Sequence, residues 1–294
     1  MYNKFKGTGV ALVTPFDNNL KVNFNELEKV VTHTIAEGID YLVVQGTTGE
    51  SVTINEHEKI EILNKVNEVN TDKPVVMGIG GNDTSKVLSQ IDALSGESFD
   101  AILSVCPYYN KPSQSHLINH FTEIADKAPK PVILYNVPGR TSVNLSAQST
   151  AELSRHPNII GVKEASGNFN QAVDIIKFSS DDFLLISGDD FLTLPLISIG
   201  AVGVISVLAN ALTNEMCSIV NYAINNQYAD AQRILYTITR MNELMYLESN
   251  PVGVKFLMET LGICSGNVRP PLYKASSELR EKIKSALMEI KNPA

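Results

Sequence analysis

Eight short apolar runs recur along the chain, and they constrain its fold more than any other feature. Most lack alternation of polar and apolar residues, which is typical of strands buried on both faces of a parallel sheet. Segments with helical periodicity lie between them, as at 24–36 and 55–69, and Asn23 and Asn55 stand where N-caps are expected. The runs are Val10–Thr14, Tyr41–Val44, Val75–Ile79, Ala101–Val105, Val132–Tyr135, Ile159–Val162, Phe183–Ile186 and Ala201–Val207.

Eight strand–helix units in sequence favour a closed (β/α)₈ barrel. The alternative is a doubly wound open sheet, which usually carries a G-x-G-x-x-G turn after its first strand. Gly7 and Gly9 instead precede the first strand core, and no third glycine follows in register. We expect residues 1–225 to form the catalytic barrel and residues 226–294 a C-terminal helical extension. The extension helices are predicted at Ala229–Leu247, Val252–Leu261 and Ser276–Ile290.

Composition excludes several classes of protein. The 294 residues carry a formal net charge of −8 without a basic run, so nucleic acid and anionic membranes are poor partners. Cys106, Cys217 and Cys264 are far apart and lack a C-x-x-C spacing, which argues against a zinc site or a disulfide framework. The N-terminal segment lacks the apolar core of a signal peptide, and no apolar stretch reaches transmembrane length. We therefore expect a cytoplasmic protein.

Polar residues follow five of the predicted strands. In a (β/α)₈ barrel, the carboxyl ends of the strands meet at one rim, where active sites form. We therefore expect these side chains to converge. The segments are GTTGE at 46–50, PYYN at 107–110, YNVPGRT at 135–141, KEAS at 163–166 and SGDD at 187–190.

Lys163 directly follows an apolar strand, where lysine is rare unless it is paired or used. Burial disfavours the ammonium form, and a neutral amine can attack a ketone to form an imine. The alternative is a buried ion pair between Lys163 and Glu164 or an aspartate.

Tyr135 ends the preceding strand at a matching depth, and its phenol could carry protons to and from the imine. A core tyrosine would give the same pattern. Thr47 and Thr48 could bridge a proton relay through their hydroxyls. Alternatively, or in addition, TTGE forms an N-cap and first helical turn, with Glu50 near the helix N-terminus.

The functional interpretation of the other candidate residues depends more on their structural context. Arg140 follows a Pro-Gly turn, and its guanidinium suits a substrate carboxylate, although a surface arginine would look the same. Gly188 would let a carboxylate approach the backbone. His116 and His120 have a zinc-like spacing, but a solvated helix face is favoured. Lys255 is a second candidate amine, within the extension.

Four motifs together resemble the dihydrodipicolinate synthase family, the pyruvate-dependent synthases at the entry to the diaminopimelate–lysine pathway. Four motifs in order at strand ends are far more specific than one. The resemblance spans nearly the whole chain, from GVALVTPF at 9–16 to NPVGVKF at 250–256 and RPPL at 269–272. The four motifs are GTTGES at 46–51, PYYNKP at 107–112, YNVPGRT at 135–141 and GVKEASG at 161–167.

The resemblance implies a role for each matching residue. Lys163 would form the imine with pyruvate. Tyr135, Thr47 and Tyr109 would form a proton relay, with Tyr109 reaching into the active site of the neighbouring subunit. Thr48 would hydrogen-bond in the pyruvate pocket.

The resemblance also implies the second substrate. Arg140 would receive the carboxylate of L-aspartate-4-semialdehyde, and Gly188 and Ile205 would line the pyruvate end of the pocket. A homodimer or homotetramer is expected, with no metal and no organic cofactor. The alternatives are an N-acetylneuraminate lyase or keto-deoxy sugar-acid aldolase using the same imine, or a catalytically silent barrel. The arginine of YNVPGRT, which the sugar-acid lyases generally lack, favours the synthase.

One departure from the family pattern concerns regulation. Many members are inhibited by lysine, which a histidine and a glutamate commonly hold at the subunit interface. The matching positions here are Lys59 and Lys86, and Glu56 replaces another histidine. A lysine in place of the glutamate would repel the effector's ammonium. We therefore predict weak or absent inhibition by lysine.

Overall fold

Eight parallel strands close into a barrel in the computed structural model, which describes residues 2–291. Each strand pairs with the next along the chain, and β8 pairs with β1. The (β/α)₈ prediction is confirmed; residues 1 and 292–294, included in the predicted domain bounds, lie outside the described residues. The strands are β1 Gly7–Ala11, β2 Tyr41–Val44, β3 Val75–Gly78, β4 Ala101–Val105, β5 Val132–Asn136, β6 Ile159–Glu164, β7 Leu184–Ser187 and β8 Gly203–Ser206.

Helices follow the strands, and α10–α12 extend the chain beyond the barrel. Asn23 caps α1 by accepting a hydrogen bond from the Glu26 amide, and Asn55 caps α2 in a reciprocal capping box with Glu58, so both predicted N-caps are confirmed. The helices are α1 Phe24–Ala36, α2 Glu56–Val69, α3 Thr84–Ala93, α4 Gln114–Lys127, α5 Pro138–Thr141, α6 Ala147–Leu153, α7 Phe169–Phe178, α8 Thr193–Ser198, α9 Thr213–Ile224, α10 Tyr228–Leu244, α11 Val252–Thr260 and α12 Ser277–Lys291. Short 3₁₀ helices lie at Asn3–Phe5, Ser51–Thr53 and Leu208–Asn210.

The first strand begins three residues earlier than predicted, at Gly7 rather than Val10. The apolar pattern missed the start of β1 because the residues there are glycines. They are selected by the close approach of neighbouring strands rather than by burial of an apolar side chain. A Cβ atom on Gly9 would lie 2.2 Å from the ring of Tyr41, and one on Gly203 would lie 1.8 Å from the carbonyl oxygen of Gly7. Glycine therefore lets β1 pair with its neighbours on both sides.

The two faces of the strands contribute to two separate hydrophobic clusters. Leu134 and Val162 belong to the cluster between barrel and helices, whereas Tyr135 belongs to the cluster inside the barrel. Since successive side chains on a strand alternate, Lys163 also points inward. No helix among residues 2–291 is both long and apolar enough to span a membrane.

Candidate active site

Lys163 and Tyr135 lie side by side on neighbouring strands. They are register partners between β5 and β6, and the Lys163 Nζ atom lies 4.5 Å from the centroid of the Tyr135 ring. Only 5% of Lys163 and 6% of Tyr135 is exposed. β6 continues through Glu164, so Lys163 belongs to the strand instead of following it. The amine is thus held inside the carboxyl end of the barrel.

Glu164 points to the opposite face of β6 and is engaged there. Its carboxylate accepts hydrogen bonds from the side-chain amides of Asn136 (3.0 Å) and Gln171 (3.1 Å) and from the backbone amide of Ser166 (2.6 Å). Within the described part of the chain, Lys163 takes part in no ion pair. The ion-pair alternative for Lys163 is therefore wrong.

Thr47 and Thr48 lie in a tight turn after β2. The Gly49 amide donates to the Gly46 carbonyl (3.1 Å) and the Glu50 amide to the Thr47 carbonyl (3.0 Å). The Oγ1 atom of Thr48 is buried and accepts a hydrogen bond from Asn250 Nδ2 at 3.0 Å.

The turn is not the first turn of a helix, so that interpretation of TTGE is wrong. The 3₁₀ helix Ser51–Thr53 follows the turn, and α2 starts only at Glu56. Glu50 does stand at a helix N-terminus, as the N-cap residue of this 3₁₀ helix with a left-handed backbone of φ 55°, but its side chain makes no cap hydrogen bond and pairs with Lys255 instead. A charge partner about 200 residues away cannot be inferred from local pattern.

A cavity of about 290 Å³ opens at this rim of the barrel and contains two of the predicted relay residues. Thr47 and Tyr135 both contribute to its wall, as does Tyr108, which the sequence had not singled out. The other lining residues are Gln45, Gly46, Ser51, Val52, Ile54, Glu56, Lys59, Gly78, Ile79, Gly80, Gln90, Leu103 and Val105. Lys163 does not line this cavity and adjoins it through the ring of Tyr135.

Gly188 and Ile205, predicted for the pyruvate end of the pocket, lie at β7 and β8. Gly188 follows β7 and donates its amide hydrogen to the Glu164 carbonyl at 2.8 Å. A Cβ atom there would lie 2.6 Å from the Cβ atom of Ala165, so the close approach requires glycine. Ile205 on β8 is buried within the barrel cluster.

Two predicted residues lie at the surface of the single chain. Arg140, in the short helix α5, is exposed, but it acts electrostatically on Tyr246. Tyr109 is 89% exposed and has φ 74°. A partner subunit would have to bring Tyr109 to an active site.

The structure also revises two minor candidates. Lys255 is fully buried, and its Nζ atom lies 2.5 Å from Glu50 Oε1, so it is a paired ammonium rather than a second free amine. His116 is exposed as expected, but His120 is buried, with Nδ1 2.8 Å from Thr84 Oγ1. The solvated-face prediction is wrong for His120 because α3 covers that side of α4.

Comparison with known proteins decides the family. The model of the dihydrodipicolinate synthetase family matches residues 4–290. A Cytophaga hutchinsonii protein named 4-hydroxy-tetrahydrodipicolinate synthase is 49% identical over 287 residues, which are 97% of each chain. This chain belongs to the dihydrodipicolinate synthetase family. The earlier resemblance is confirmed, and the findings support the synthase rather than the sugar-acid aldolase alternative.

Solved structures of the family have the same fold. The chloride-inhibited dihydrodipicolinate synthase of Acinetobacter baumannii, crystallised with pyruvate, matches with a TM-score of 0.94 and 34% identity over 97% of this chain and 99% of its own. The Cyanidioschyzon merolae enzyme with lysine bound matches with a TM-score of 0.94 and 34% identity over 98% and 99%. The family barrel therefore extends along nearly the whole chain.

Proposed function

We propose that Lys163 forms a Schiff base with pyruvate and that the resulting enamine attacks L-aspartate-4-semialdehyde. By these steps the chain performs the 4-hydroxy-tetrahydrodipicolinate synthase reaction of its family. The observation that carries the proposal is the buried Lys163 amine, held over the Tyr135 ring without a carboxylate partner among residues 2–291. A lysine amine that no carboxylate engages is free to attack the ketone of pyruvate.

The reaction proceeds by proton transfers and carbon–carbon bond formation. The Lys163 amine adds to the pyruvate ketone and water leaves, giving the imine. The relay of Tyr135, Thr47 and the partner subunit's Tyr109 then removes a methyl proton to form the enamine. The enamine carbon attacks the aldehyde, and the amino group of the second substrate displaces Lys163 as the ring closes. Only an amine and hydroxyl groups are needed for these steps, so the proposal includes no metal or organic cofactor.

The pyruvate end of the site is built from Thr48, Gly188 and Ile205. The Thr48 Oγ1 atom already accepts a hydrogen bond from Asn250, so its hydroxyl hydrogen is left to donate to the pyruvate carboxylate. Glycine at 188 lets the end of β7 approach Ala165 closely, and Ile205 supplies an apolar wall. The Acinetobacter baumannii relative was crystallised with pyruvate, which supports this substrate.

Arg140 is proposed to bind the carboxylate of the second substrate. Its exposed guanidinium stands at the rim, where a planar fork can form two hydrogen bonds to a carboxylate. We further propose a homodimer or homotetramer in which Tyr109 crosses the dimer interface. An aromatic side chain exposed to this extent on a left-handed backbone is consistent with use by a partner.

The proposal also includes location and the choice of partners. All three cysteines are buried and free, which suits a reducing compartment such as the cytoplasm. The acidic net charge supports small-molecule substrates rather than nucleic acid or membrane as partners.

A coupled assay tests the function directly. The protein is supplied with pyruvate and L-aspartate-4-semialdehyde, and separately with N-acetylneuraminate or a keto-deoxy sugar acid. We expect turnover of the first pair and none of the sugar acids. Turnover of a sugar acid, with none of the semialdehyde, would contradict the proposal.

A further inference from the structure

A buried ion pair joins the C-terminal helices to the turn that carries Thr47 and Thr48. Lys255 on α11 is fully buried, and its Nζ atom lies 2.5 Å from Glu50 Oε1 and 2.7 Å from the carbonyl oxygen of Asn267. The second Glu50 oxygen accepts the Arg269 amide at 2.9 Å. Both carboxylate oxygens of Glu50 are thus bonded to the segment 255–269.

The same turn is held at other points. Asn250, just before α11, donates to Thr48 Oγ1. On the other side, Thr14 Oγ1 donates to the carbonyl oxygen of Gly49 at 2.7 Å. Contacts therefore hold the three residues that follow Thr47, and those to Thr48 and Glu50 come from the C-terminal extension.

The turn requires such support because its backbone is strained. Gln45 and Glu50, which flank it, have left-handed conformations with φ 61° and 55°. Residues other than glycine adopt this region only where the surrounding structure compensates. Without the contacts, the turn would relax toward other conformations and move the Thr47 hydroxyl away from Tyr135 in the shared cavity.

We propose that Lys255, Glu50 and Asn250 are positioning residues for proton transfer, holding Thr47 beside Tyr135 in the catalytic relay. The inference rests on the proposed function, since it takes Thr47 to be part of that relay. Stability alone is a poor reason for a buried ion pair, because well-packed apolar residues often replace such pairs without loss. A role in positioning Thr47 explains why a charged pair is kept beside this turn.

The experiment separates imine formation from proton transfer. Imine formation on Lys163 is measured by borohydride trapping with saturating pyruvate. Proton transfer is measured by exchange of the pyruvate methyl hydrogens for deuterium in D₂O without the second substrate. The variants are Glu50→Gln with Lys255→Met as a double variant, and Asn250→Leu alone. Lys65→Met removes an ion pair with Glu28 on the outside of the barrel and serves as the matched control.

The double variant leaves no uncompensated buried charge, so we expect it to fold. Asn250→Leu removes one neutral hydrogen bond together with a buried oxygen, Oδ1, that has no partner among the described residues. Both should retain trapping at saturating pyruvate within about threefold, although Asn250→Leu should need more pyruvate to saturate because Thr48 loses its partner. Both should exchange methyl hydrogens about 10–100-fold more slowly, because a displaced relay group loses its orientation. Lys65→Met should match the wild type in both measurements.

A merely structural role predicts a different result. Hydrogen exchange at the wild-type rate in a variant that folds would overturn the positioning role. If the double variant does not fold, the exchange rate of Asn250→Leu alone decides the question. Absence of the pyruvate adduct in the wild type would instead contradict the proposed function, so the two failures are distinguishable.

Discussion

The Lys163 amine lies over the face of the Tyr135 ring, with Nζ 4.5 Å from the ring centroid, and the two residues are register partners on β5 and β6. An aromatic face attracts a cation less strongly than a carboxylate does, and it accepts no proton. The amine therefore has a neighbour that orients it without engaging it in an ion pair. The same neighbour carries the phenol that we assign to the proton relay.

Subunit mixing tests whether Tyr109 acts in the partner's site. Lys163→Met and Tyr109→Phe should each lose most activity when expressed alone. When both are co-expressed with different tags, each mixed dimer has one site with an intact Lys163 and an intact Tyr109 from its partner. Purified mixed dimers should therefore regain about half of the wild-type activity if each partner completes one site. Activity no higher than that of the separate variants would place Tyr109 outside the partner's site.

Arg140→Ala should weaken use of the second substrate and leave pyruvate chemistry intact. We expect kcat/KM for L-aspartate-4-semialdehyde to fall about 10–100-fold, because a bidentate carboxylate contact is lost. Borohydride trapping of pyruvate should be unchanged. Arg155→Ala is the matched control, since Arg155 is exposed just before β6 at the opposite end of the barrel. Equal effects of the two variants would refute the role of Arg140.

Lysine should inhibit weakly or not at all. Lys59 Nζ lies 2.9 Å from Glu56 Oε1, which also accepts a hydrogen bond from Gln90 at 3.3 Å, so neither charge is left free for an effector. Lys86 is exposed, with Nζ 3.9 Å from Asp83, so its ammonium can still repel that of the effector. A lysine titration beside the Cyanidioschyzon merolae enzyme, whose structure contains lysine, checks the prediction. Strong inhibition at sub-millimolar lysine would contradict it.

His120 should make the fold sensitive to acid. Burial lowers the pKa of this histidine from 6.5 to about 4, so the unfolded chain binds its proton at a higher pH than the folded chain does. The contribution of the neutral, buried His120 to the free energy of unfolding is fully present above pH 6.5. It is lost as the pH falls toward 4, by about 3 kcal/mol in total. His120→Asn should flatten the dependence of unfolding free energy on pH in this window by about one proton. His116→Asn, exposed on the same helix, should not.

Local pattern was sufficient to predict the barrel and to bring most of the candidate residues to its rim, because both depend on strand periodicity. Lys163, Tyr135, Thr47 and Thr48 all follow or end apolar runs, and strand ends converge in any parallel barrel. The features that escaped prediction depend on contacts distant in sequence. The ion pair of Lys255 and the burial of His120 are set by neighbours that local sequence does not reveal.

Other features depend on geometry within the barrel or on a second chain. β1 was placed three residues late because Gly7 and Gly9 mark crowded positions rather than apolar ones. Tyr109 is exposed in the single chain, and its proposed place in a partner's active site stays a prediction.

Borohydride reduction in the presence of pyruvate, followed by peptide mass spectrometry, shows whether Lys163 forms the imine. We expect a reduced pyruvyl adduct on Lys163, none on the buried Lys255, and none in the Lys163→Met variant, whose fold is verified by circular dichroism. An adduct on a different lysine, or no adduct in a folded wild-type protein, would contradict this expectation.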